Sequence, residues 1–149
     1  MLLNEIFNEQ TIKLDLESDT KAAVFTELIE TMAAVHPELN KTEMLSAVMY
    51  RENKMNTAIA AGVAVPHGYY SGTDKIIGAI GISKNGIDYG TTDNKPVHFI
   101  FLLLMGDAVR EEHLRILNRV LSLINSGALP SLQTAKDVRE VYDILSRFR

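Results

Sequence analysis

Three side chains in this 149-residue chain combine a reactive group with a local sequence that would hold it still: His67, His113 and Arg51. His67 closes the run NTAIAAGVAVPHG. Pro66 fixes φ near −65° just before it, and Gly68 leaves room beside the ring. A neutral imidazole whose proton is held on one nitrogen presents the lone pair of the other as a nucleophile. His113 lies in REEHLRIL, in the first turn of an expected helix, where the positive end of the helix dipole disfavours a proton and attracts anions. Brought together, the two rings would form a site suited to a dianion rather than to a metal or a proton. Arg51, in MYRENKMNT, carries a guanidinium able to hold two oxygens of a phosphoryl group. Each has a plainer reading: a satisfied polar group for His67, a solvent-facing helix residue for His113, a cation at a helix C-terminus for Arg51. His36 and His98 read as structural or surface histidines.

Composition narrows the classes. A chain of 16.6 kDa fits one domain and can bury roughly two-thirds of its unfolded surface. There is no cysteine, which excludes disulfides, thiol catalysis and cysteine-ligated zinc. The net charge of −4 argues against a general nucleic-acid binder. The longest apolar run, Val97 to Met105, contains His98 and is less than half of the ~20 residues that span a bilayer. The N-terminal MLLNEIFNEQ lacks the basic flank and long apolar stretch of a signal peptide. A cytoplasmic location with no membrane insertion is the expectation.

The elements that must position these groups follow from periodicity. Ile12, Leu14 and Leu16 alternate as a half-buried strand. Val24, Phe25, Leu28, Ile29 and Met32 recur at helical spacing, with Ser18 or Asp19 as N-cap and Pro37 beyond the end. A second helix begins at Asn40, with Met44, Leu45, Val48 and Met49 inward, and ends near Asn53. The small and β-branched residues before Pro66 suit a buried ribbon. Ile76 to Ile82 reads as a strand, Asn85-Gly86 as a hairpin-like turn, and Val97 to Met105 as a buried strand. A third helix from about Arg110 places Leu114, Leu117, Leu121 and Ile124 inside, and Ser126-Gly127 stops it. After a short segment at Pro130 to Thr134, a last helix from about Lys136 buries Val138, Val141, Tyr142 and Leu145. No linker or repeat divides the chain, so helices and strands share one core.

The residues from Glu52 to Gly68, ending in Pro66-His67-Gly68, resemble the signature of the type-2 enzyme IIA domains of the bacterial phosphoenolpyruvate-dependent sugar phosphotransferase system, the fructose and mannitol family. The Arg51-Glu52 pair upstream and Glu112-His113-Leu114 downstream follow in the family's order and approximate spacing, and the resemblance covers nearly all of residues 1–149 as one such domain. Two departures stand out: Ala60 occupies a position where members commonly have glycine, and Asn56-Thr57 stands near their serine or threonine, so that Thr57 would supply that hydroxyl.

The resemblance implies a single three-layer α/β/α domain with a mixed sheet, in the order β-α-α-β-β-β-α-α(-α). It implies a phosphotransferase component in which His67 is phosphorylated on Nε2, its Nδ1–H donating to a nearby carbonyl that the sequence leaves open. His113 and Arg51 would stabilise the phosphoryl group, with Thr57, Glu52 and Gly68 in support and neither cofactor nor metal. The donor would be the carrier protein HPr, the acceptor a cysteine of an enzyme IIB component, and the membrane IIC component an indirect partner. A carrier must also release its cargo, so a shallow site with few charges is expected. Tyr69, Tyr70, Ala108 and Val109 would form a docking rim or else pack against the ribbon. Two alternatives remain: a nitrogen-related regulatory paralogue whose phosphorylation state controls other proteins, and a non-catalytic binding module of the same fold.

Overall fold

The computed structural model describes residues 2–60 and 62–148. In chain order it contains α1 (Leu3–Ile6), a 3-10 turn (Glu9–Thr11), β1 (Ile12–Lys13), α2 (Lys21–Val35), α3 (Lys41–Glu52) and three short strands, β2 (Ala58–Ala60), β3 (Val63–Ala64) and β4 (His67–Tyr69). There follow β5 (Ile76–Ile87), β6 (Val97–Met105), a 3-10 segment (Asp107–Glu112), α4 (His113–Asn125), α5 (Leu129–Gln133) and α6 (Val138–Ser146).

The sheet is mixed and runs β1-β5-β6-β3-β2, with β4 also pairing with β6. Strand β6 explains the layering. Phe99, Phe101, Leu103 and Met105 belong to one apolar cluster with α1 and α4 to α6, whereas Ile100, Leu102 and Leu104 belong to a second cluster with α2 and α3. Successive side chains on a strand point to opposite faces, so a continuous apolar run is what a strand covered on both sides requires. The three-layer expectation is met, with helices on both faces.

Several local expectations are corrected. The N-terminal strand is only Ile12–Lys13, preceded by the helix α1, whose Leu3 and Ile6 are buried under the sheet. The ribbon that carries His67 is broken into three strands, the third beginning at His67 itself, and β2 turns back antiparallel on β3. Helix α2 is capped by Thr20, whose hydroxyl accepts from the Ala23 N–H, and not by Ser18 or Asp19. Asn85-Gly86 is not a hairpin turn: β5 continues to Ile87 through a register shift at Gly86 (φ +89°), and the connection to β6 comes later. The shift is what a glycine in a left-handed conformation allows within a strand.

Helix α4 is rotated from its expected orientation. Its buried residues are Ile116, Val120, Leu123 and Ile124, while Leu114 is 70% exposed and Leu121 faces solvent. The helix begins at His113, after the 3-10 segment, not at Arg110, and the face turned inward is the one that packs on the core cluster through Ile116, Val120, Leu123 and Ile124. The expectation for α3 holds, with Asn40 accepting from the Glu43 N–H at 3.0 Å and Met44 and Val48 buried. Among the described residues, no helix is long and apolar enough to cross a membrane.

Candidate functional site

His67 opens β4, which runs parallel to β6 with His67 opposite Leu103. The next residue decides which way it faces. A Cβ on Gly68 would lie 2.6 Å from the Ala47 carbonyl oxygen and 2.8 Å from its carbon, so β4 lies directly on the backbone of α3 and only glycine fits there. His67 and Tyr69, one residue either side, therefore project from the opposite face of the strand. The Nδ1 of His67 stands 2.9 Å from the carbonyl oxygen of Val65. A carbonyl only accepts, so Nδ1 carries the proton and Nε2 keeps its lone pair. Pro66 restricts the backbone between that carbonyl and the ring, while β3 and β4 keep one register along β6 on either side of it.

His113 faces this ring from the first position of α4. The two ring centroids are 5.2 Å apart and tilted by 58°. The Nδ1 of His113 is 2.8 Å from the hydroxyl of Tyr69, whose ring meets the imidazole nearly edge-on. Its Nε2 is buried and has no hydrogen-bond partner among the described residues. Both imidazoles are held below their ordinary pKa. For His67 the cause is chiefly burial, reinforced by the positive charge of Arg51 and opposed by the Val65 carbonyl and by Glu52. For His113 burial again leads, followed by the charges of His67 and Arg51. Burial thus favours the neutral form of both rings, the state a nucleophile requires.

Arg51, in the last turn of α3, donates from one terminal guanidinium nitrogen to the Met55 carbonyl at 2.9 Å. It shares with His67 and His113 an open cavity of about 780 Å³, whose charged lining residues are Glu43, Arg51 and Lys54. One wall comes from α3, the floor from β4, and the far side from the start of α4.

The residue after Arg51 turns inward. Glu52 is 5% exposed and accepts from the Thr57 N–H at 3.1 Å, the Thr57 hydroxyl at 2.6 Å and the Lys21 ammonium at 3.0 Å. The Thr57 hydroxyl also lies 2.7 Å from that of Tyr89, and Lys21 stands over the Tyr89 ring. Burial pushes the Tyr89 phenol far up, so it stays protonated. The network ties the end of α3 to the start of the ribbon and to α2. Thr57 is thus committed to Glu52 and does not line the cavity.

The family model for the phosphoenolpyruvate-dependent sugar phosphotransferase system, EIIA 2, matches residues 5–148. The chain belongs to this family. Among curated relatives of this EIIA 2 chain, the PTS system fructose-specific EIIABC component of Bacillus subtilis is 29% identical over 99% of the chain, which spans only 23% of that longer protein. A nitrogen regulatory protein of Bradyrhizobium diazoefficiens is 26% identical, covering 98% of this chain and 95% of the relative. Among solved structures, the nitrogen regulatory protein IIA-Ntr of Neisseria meningitidis superposes with a TM-score of 0.88 at 28% identity, over 96% of this chain and 98% of that one. The Escherichia coli complex of enzyme IIA mannitol with phosphorylated enzyme IIB mannitol shares the fold at a TM-score of 0.77 and 17% identity, with 95% of this chain and 99% of that one covered.

Of the EIIA 2 residues singled out from sequence, His67, His113, Arg51 and Gly68 meet at the cavity or directly beneath it, and Glu52 and Thr57 form the support behind Arg51. Tyr70 is buried, its hydroxyl accepting from the Asn40 N–H at 3.0 Å, so it packs. Val109 packs against the core as well, and the side chain of Ala108 lies outside what the structure describes. Tyr69 stays 43% exposed. Its bond to His113 went unnoticed in the sequence, although a position two residues beyond His67 on one strand was a usable signal. Lys21 and Tyr89 carried no such signal, being 31 and 32 residues from their partners.

Proposed function

We propose that this chain is a phosphohistidine carrier that accepts a phosphoryl group on Nε2 of His67 and hands it to a second protein. The observation that carries this reading is the Val65 carbonyl holding the Nδ1 proton 2.9 Å away, which leaves Nε2 nucleophilic opposite His113. The Nε2 lone pair attacks phosphorus on a donor phosphohistidine. The new N–P bond forms as the donor's N–P bond breaks, and the donor imidazole leaves neutral, keeping the proton on its other nitrogen. Arg51 and His113 offer N–H groups to the phosphoryl oxygens, so the rate comes from alignment and charge stabilisation. By family resemblance the donor is HPr and the acceptor the cysteine of an enzyme IIB component, which feeds sugar uptake through a separate IIC chain. The Escherichia coli IIA–IIB mannitol complex supports the choice of acceptor.

A second reading is favoured by the nitrogen regulatory relatives, one of which the chain matches over 95% of its length. In that reading the same phosphorylation alters which protein this surface binds. Mass measurement after incubation with phosphoenolpyruvate, enzyme I and HPr tests the shared step. A phosphoryl-sized, acid-labile gain lost in His67→Ala is expected, and no gain with an active donor chain sinks the proposal. Onward transfer to a fructose- or mannitol-type IIB then separates sugar uptake from regulation.

A further inference from the structure

The carrier chemistry needs a hydrogen-bond donor, not a lone pair, on the His113 nitrogen that faces a phosphoryl group. The imidazole is ambiguous in this respect, since either nitrogen can hold the single proton of the neutral ring. Tyr69 occupies the position that removes the ambiguity. It lies two residues beyond His67 on β4, hence on the same face, and its hydroxyl is 2.8 Å from Nδ1 of His113. A phenol is the better donor and an imidazole nitrogen the better acceptor, so the bond runs O–H to Nδ1. The proton of His113 is then on Nε2, the buried atom that has no partner among the described residues. A buried N–H left without an acceptor is costly in the empty site and is satisfied when an anion arrives.

Building on the carrier reading, we propose that Tyr69 is a positioning residue for phosphoryl transfer: its hydroxyl selects the Nε2–H tautomer of His113 and so makes that ring a donor to the phosphoryl group on His67. Strand β4 thereby places both the nucleophile and the group that prepares its partner, three residues spanning the arrangement. The ring of Tyr69 contacts His113 edge-on with centroids 5.7 Å apart, which also holds the imidazole plane. The opposite tautomer would turn a lone pair toward the phosphoryl oxygens and repel them.

The test uses Tyr69→Phe, which keeps the ring contact and removes only the hydroxyl. Long-range 1H–15N NMR of the imidazole rings at pH 8 reads the tautomers in the unphosphorylated protein. The expected result is a single Nε2–H form for His113 in the wild type and a mixture in Tyr69→Phe, with His67 remaining Nδ1–H in both. Phosphorylation kinetics should show kcat reduced roughly five- to twenty-fold with KM for the donor protein unchanged, of the order a single hydrogen bond contributes. In a His113→Ala background the same change should add no further loss. An Nδ1–H form of His113 in the wild type, an unchanged tautomer in Tyr69→Phe, an effect confined to KM, or additive losses would each overturn the proposal. The tautomer is read without any phosphoryl donor. A wild type that shows the expected tautomer but never becomes phosphorylated would instead overturn the carrier reading, and the positioning role with it.

Discussion

His67 donates its Nδ1–H to the carbonyl of Val65, 2.9 Å away and only two residues earlier in the chain. Nucleophile and tautomer-setting acceptor thus belong to one short segment, restricted by Pro66, and their geometry depends on local backbone conformation. Distant packing enters through the surface beneath that segment.

Replacing His67 by Gln should therefore abolish phosphorylation while leaving the fold intact, because the ring is half-buried at an open cavity and glutamine is polar, uncharged and of similar size. Mass analysis of the phosphorylated mixture and a thermal melt check the two halves. A retained acid-labile gain would place the acceptor elsewhere.

Arg51→Ala should slow phosphorylation by roughly 10²-fold, the order found when one preorganised charge-stabilising donor is removed. Arg51→Lys should recover only part of the loss, because an ammonium cannot hold two oxygens with the planar guanidinium fork. Single-turnover kinetics with saturating phospho-donor measures this, and full activity in both variants would remove Arg51 from the transfer step.

Both histidines should titrate below about 6.5 in an NMR titration, since burial holds each below its ordinary value. Phosphoryl acceptance should then persist as pH falls to about 6.5 and decline only below it. Stability follows the same sign: the unfolded chain takes up protons first, so acidification through about 6.5 and down to the folded midpoints destabilises the protein. Denaturant melts at pH 8 and pH 6 should show the loss, reduced in a His67→Gln, His113→Gln double variant.

Gly68→Ala should be destabilising by about 1–3 kcal/mol, in the range for overpacking, because its Cβ would lie 2.6 Å from the Ala47 carbonyl oxygen. Pushing β4 off α3 also displaces His67 from Arg51, so phosphorylation should slow beyond what lost stability explains. A melt and a rate measured well below the transition separate the effects.

Glu52→Ala should cost about 2–4 kcal/mol, since it strips the buried Thr57 of the partner that both its N–H and hydroxyl use and leaves Lys21 without its counter-charge. Thr57→Val, which removes one hydroxyl, should cost less. Equal midpoints for wild type and Glu52→Ala in urea would mean that the network adds no net stability.

What depends on neighbours along the chain could be read from residue order. The two long amphipathic helices before the ribbon, the doubly covered strand Val97–Met105 and the presentation of His67 by proline and glycine were all legible, because periodicity and backbone restriction are local properties. Residue order carried the family resemblance in the same way. Packing, in contrast, is what made α4 turn Ile116 and Val120 inward and Leu114 outward, since a helix rich in leucine on more than one face takes its rotation from what it packs against. It also decided that Asn85-Gly86 continues a strand, because pairing with β6 outweighs the local turn preference. The approach of His113 to His67, the hydroxyl of Tyr69 on His113 and the Glu52–Thr57–Tyr89 network join residues that the chain keeps apart. Such contacts exist only once β4 has been laid between α3 and the start of α4, a placement that depends on the whole core.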